Sequence, residues 1–77
     1  MPRIKGILGP YRFFFTSFDC NEPPHVHVER ESTCKFWLDP LGLARNHGFR
    51  ARELNVIRRT VQTYRTSIME AWHEHCG

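Results

Sequence analysis

Residues 25–38 read HVHVERESTCKFWL. Histidine and valine alternate through His25-Val26-His27-Val28, and Thr33 to Leu38 is a second β-prone run. A period of two is the signature of a half-buried strand. The two runs are separated at Glu31-Ser32, a tight turn, so the stretch predicts an antiparallel hairpin of strands 25–30 and 33–38. Upstream lies FDCNEPP (18–24), a loop whose prolines extend the chain, and before it YRFFFTS (11–17), an aromatic strand bounded by turn formers. Arg3-Ile4-Lys5 is a candidate edge strand. Downstream, Asp39-Pro40 ends the hairpin, and LGLARNHG (41–48) reads as a loop or a short turn of helix closed by Gly48.

From Arg50 the period changes. Leu54, Ile57, Val61, Tyr64, Ile68 and Ala71 or Trp72 recur at steps of three and four, one apolar stripe of an amphipathic helix. No proline interrupts 50–76, so one helix of about 25 residues, roughly 38 Å, is expected. Its last turns are expected to overhang the sheet and to offer Trp72 to another chain. The predicted fold is α+β: one domain, 1–77, with a small antiparallel sheet of three to four strands (about 3–38), a connecting loop or short helix (39–49) and one long C-terminal helix (about 50–75) packed on one sheet face.

Strand parity sorts the side chains. Tyr11, Phe13, Phe15, Val26, Val28, Cys34, Phe36 and Leu38 form one apolar face, which the helix must cover. Arg12, Phe14, Thr16, His25, His27, Glu29, Lys35 and Trp37 share the other. Both histidines are therefore expected to point away from the core, into a basic and aromatic surface.

The chain has 77 residues and a net charge of +3. A domain this small buries only about 60% of the surface its unfolded chain exposes, so a partner chain or a second copy is a natural source of further stability. The charge suits an anionic partner. Three cysteines, Cys20, Cys34 and Cys76, with no CxxC spacing argue against a disulfide framework and a cysteine-rich zinc site. They read as reduced thiols in a cytoplasm, with Cys34 in the core. The N-terminal MPRIKGILGP lacks the apolar core of a signal peptide, and no run is long enough to span a membrane.

Three chemistries compete for the second face. Two histidines at i and i+2 on a strand can reach one divalent metal, with Glu29 or His47 as a third ligand, although HxH alone is not diagnostic. For acid–base chemistry on RNA, His25 and His27 supply base and acid, and Arg12 and Lys35 supply charge for the phosphorane. For binding, Phe14 and Trp37 among Arg12, Lys35 and the imidazoles make a stacking platform for RNA or DNA, or an anchor for a protein. Six arginines between 45 and 65 face one acid, Glu53. Two of them, Arg50 and Arg52, stand at the helix N-terminus against the macrodipole, which marks them as binding candidates. The plain alternative throughout is a solvated sheet and helix face. No required cofactor follows from these residues.

The stretches YRFFFTSFDCNEPPHVHVER, KFWLDPLGLARNHGF, ARELNVI and EAWHEHCG resemble the bacterial domain-of-unknown-function 4160 family over nearly the whole chain. His25, His27, Trp37, Asp39, Glu53, Leu54 and Trp72 match its pattern. The resemblance implies a small bacterial protein, often encoded beside a domain-of-unknown-function 2442 protein in gene pairs resembling toxin–antitoxin modules. At Arg50 the family usually carries serine, which with Glu53 makes a capping box. Arginine cannot accept that amide, so Asn46 or another upstream group must cap, or the first turn frays.

Taken together, the expectation is a cytoplasmic binding module acting through a cognate protein, self-association or nucleic acid. A histidine-dependent ribonuclease toxin is the alternative, and a phage-borne inhibitor or structural subunit the third.

Overall fold

The computed structural model describes residues 9–77; the expected strand at Arg3–Lys5 lies outside them. Four strands, β1 (Arg12–Phe14), β2 (His25–Glu29), β3 (Thr33–Leu38) and β4 (Leu41–His47), form one antiparallel sheet in the order β1-β2-β3-β4. The 25–38 hairpin is its centre, in the register His25↔Trp37, His27↔Lys35 and Glu29↔Thr33. β1 is shorter than the 11–17 expected. The Thr16 N–H and hydroxyl both bond to the Asp19 carboxylate, which turns the chain away from β2 after Phe15.

The stretch 41–48, expected as a loop or helical turn, is instead mostly strand. The Asp39-Pro40 turn brings β4 back along β3, and backbone pairing fixes its conformation. Lys35 pairs with Arg45 and Phe36 with Leu43, so Ala44 is an extra, bulged residue. The bulge breaks the alternation of side chains that would have marked a strand.

The expected single helix is two: α1 (Ala51–Thr63) and α2 (Arg65–Cys76), which meet at Tyr64. The hydrogen bonds Tyr64 N–H to Thr60 carbonyl and Ile68 N–H to Tyr64 carbonyl carry the chain across the break. The local cause is legible: Thr60 and Thr63 are poor helix formers, and the Thr60 hydroxyl bonds back to the Val56 carbonyl, a contact that bends helices. Beyond Tyr64, Arg65 donates to the Leu38 carbonyl at 2.6 Å and pairs with Asp39, which ties α2 to the end of β3. The apolar stripe survives the break. Ile57, Val61, Ile68 and Trp72 are buried, with Leu54, Tyr64 and Ala71 packed beside them.

These residues meet Phe13, Phe15, Val26, Val28, Cys34, Phe36 and Leu38, so the apolar sheet face is covered as parity requires. Each fully buried apolar side chain contributes about 1.5–3 kcal/mol. Trp72 does not overhang: it is buried edge-on against Phe15, with ring centroids 5.4 Å apart. At the start of α1, Arg50 provides no side-chain cap, and Asn46 does not substitute, since its amide bonds to the N–H and carbonyl of Phe49.

Candidate functional site

The loop between β1 and β2 decides the site. Two prolines extend it, and the Leu38 N–H bonds to the Pro24 carbonyl, which sets the entry into β2. A 3-10 turn at Asp19–Asn21 closes it, with the Glu22 N–H on the Asp19 carbonyl. Its outer side is clamped to α2. His75 Nε2 donates to the Thr16 carbonyl at 2.8 Å, and Cys20 is joined to Cys76 in a disulfide. Two of the three cysteines expected to be reduced are thus bonded across 56 residues, and the thiol count lends no support to a cytoplasmic reading. Cys34 is free and buried, and burial pushes its thiol up to about 12. Among the described residues no helix is long and apolar enough to cross a membrane.

The clamped loop covers the start of β2, which corrects the exposed position expected for His25. Its side chain is 1% exposed, beside Trp37 and Trp72 at centroid distances of 5.6 and 5.2 Å. His27 is partly buried and stacks on Phe14 at 5.3 Å. Both imidazoles turn toward one carboxylate. Oδ1 of Asp19 lies 2.9 Å from His27 Nε2, in a hydrogen bond, and 3.0 Å from His25 Nε2. The second approach is off the axis of a hydrogen bond, and His25 Nε2 has no partner.

The Asp19 carboxyl feels two opposed effects. Burial raises its pKa, whereas hydrogen bonds from His27 and from the Thr16 N–H and hydroxyl lower it. The bonds win, and the group is held at about 2. Asp19 therefore stands as a buried carboxylate anion oriented by Thr16.

Farther along the same face the cations are largely paired. Arg12 bonds to Glu29 and lies over Phe14; Lys35 bonds to Glu22 at 2.8 Å and lies over Trp37 at 4.9 Å. Lys35 holds the Glu22 carboxyl below its ordinary range. A depression of about 250 Å³ opens beside them, lined by Phe14, His27, Thr33, Lys35, Arg45 and His47. Arg45 and His47 make no ion pair with an acid among the described residues.

Of the expected site residues, Arg12, Phe14, His25, His27, Lys35 and Trp37 do share one region. Arg50 and Arg52 begin α1 and do not line the depression. His47 lines it but is not among the donors that converge on Asp19, and Glu29 is engaged by Arg12. Asp19 and Arg45 were not anticipated. The signal for Asp19 was an acid six residues before His25 in a short, proline-bounded loop; for Arg45 the sequence held none, because its place across from Lys35 exists only in the folded sheet.

No curated protein and no solved structure matches the chain. A domain of unknown function, DUF4160, matches residues 10–73, most of the length and including β1 through β4, the Asp19 loop and nearly all of both helices. The chain belongs to the DUF4160 family.

Proposed function

We propose that this chain is the small binding component of a bacterial, toxin–antitoxin-like pair, and that it takes an acidic segment of its partner protein on the β2–β4 face. The depression carries this reading. It sets an aromatic ring, Phe14, beside Arg45 and His47, which pair with no acid among the described residues, a combination suited to an acidic segment bearing an aromatic or aliphatic anchor. Because Arg12 and Lys35 already have acidic partners, the face offers fewer free cations than its composition implies, which favours a protein over a phosphate backbone.

The test is binding of the protein encoded beside this gene, measured by calorimetry with native chain and a Phe14→Ala, Arg45→Ala variant. A loss of at least about tenfold in affinity is expected. Unchanged affinity in the folded variant rejects the reading.

One observation favours the ribonuclease alternative in altered form. Buried His25 cannot reach RNA, but His27 and His47 line the same depression with Lys35 and Arg45. With Nε2 of His27 on Asp19, its Nδ1 is the atom left for a substrate proton. Intact RNA after incubation with purified protein from pH 5 to 8 rejects this alternative.

A further inference from the structure

We propose that Asp19, His25 and His27 form a binding site for one divalent transition-metal ion. The tautomer of His25 is the first observation. Its Nδ1 lies 2.9 Å from the Pro23 carbonyl, which can only accept, so Nδ1 carries the hydrogen. In the neutral ring Nε2 then presents a lone pair. That lone pair is buried, without a hydrogen-bond partner, and 3.0 Å from a carboxylate oxygen. Two electron-rich atoms in such contact away from water are unfavourable unless a proton or a metal ion joins them.

The second observation is convergence. Nε2 of His25, Nε2 of His27 and an Asp19 oxygen all lie within 4.8 Å of one another. Ligands bound at about 2.0–2.2 Å to a single ion stand roughly 3–3.5 Å apart, close to the spacing of both histidines from Asp19 Oδ1. The third is support behind the ligands. A backbone carbonyl fixes the His25 ring, and Thr16 orients the carboxylate through its N–H and hydroxyl. Such contacts fix the tautomer and direction of metal ligands.

Two imidazoles and one carboxylate suit zinc and its first-row neighbours better than calcium or magnesium. Three protein ligands leave coordination positions for water or for a group brought by a partner. The side chain of His27 is 26% exposed, which places the accessible side of the site toward the depression. The other cluster of potential ligands, Cys20, His75 and Cys76, has its two sulfurs joined in the disulfide and offers no thiolate.

The experiment is titration of the chelator-treated, oxidised 77-residue chain with Zn²⁺ by calorimetry and with Co²⁺ by visible absorption. One equivalent per chain is expected, with Co²⁺ ligand-field bands and a rise in melting temperature with Zn²⁺. Asp19→Asn and His27→Ala are expected to weaken Zn²⁺ binding by more than about tenfold, while His47→Ala leaves it unchanged. His27→Ala, at the partly exposed ligand, keeps the test valid if the buried Asp19 variant does not fold. Absence of Zn²⁺ and Co²⁺ binding by folded native protein overturns the site. So does binding that persists in folded His27→Ala with unchanged Co²⁺ bands, which would place the ion elsewhere.

Discussion

Nε2 of His25 and Oδ1 of Asp19 lie 3.0 Å apart, with side chains 1% and 7% exposed. A loop and a strand have thus been folded together around one buried anion. The stability of the loop follows from how that anion is held.

Asp19 makes the metal-free protein acid-sensitive. Its folded carboxyl is at about 2 against an ordinary 3.8. A depressed folded pKa gives stability that is fully present above the unfolded value and is lost as pH falls through the folded one. About 2 kcal/mol is therefore expected to disappear between roughly pH 4 and pH 2. Denaturant unfolding from pH 5 to 2 should show this slope in the native chain, and a shallower one in Asp19→Asn.

The Cys20–Cys76 bond closes a loop over most of the chain, with a sequence separation of 56. Chain entropy assigns such a cross-link about 4 kcal/mol at 25 °C, a large part of the stability of a 77-residue domain. Cys20→Ser, or added reductant, should lower the unfolding free energy by this order. Guanidinium titrations with and without reductant check it, and the serine variant should be insensitive to reductant.

Cys34 should be inert in the folded state. Burial holds its thiol at about 12, far from thiolate at neutral pH. An aromatic disulfide reagent at pH 8 should find no thiol in the native, oxidised protein and one per chain after denaturation. Rapid labelling without denaturant would show that the β3 core opens readily.

Gly48 has φ +109°, and a Cβ there would stand 2.6 Å from the Ser32 hydroxyl oxygen, at the β2–β3 turn. Gly48→Ala meets both an unfavourable backbone region and a close contact. A loss of about 1–3 kcal/mol is expected. Because Ser32 can rotate away, Gly48→Ala combined with Ser32→Gly should recover only the smaller, steric part, as thermal melts of the single and double variants would show.

Periodicity made the hydrophobic architecture legible. The alternation at 25–38 placed Val26, Val28, Phe36 and Leu38 on one face, and the three- and four-residue steps from Leu54 to Trp72 placed the stripe that covers it. Both patterns depend only on how side chains repeat along a strand or a helix. They held even where α1 gives way to α2, since the hydrogen bonds Tyr64 N–H to Thr60 and Ile68 N–H to Tyr64 leave the phase of the stripe nearly intact.

Tertiary structure decided the rest. β4 carries no clean alternation, and it became a strand because β3 supplied its hydrogen bonds and a bulge at Ala44 absorbed the mismatch. Parity sent His25 and His27 to the same face correctly, but exposure depends on what folds over that face. The 15–24 loop, tied to α2 by His75 and the disulfide, buried His25 and carried Asp19 to both imidazoles. Loop closure and a cross-link between residues 20 and 76 are long-range events with no period. Periodicity marked most of the core but missed Phe49 and the burial of Trp72, and only the folded chain decided which polar residues meet.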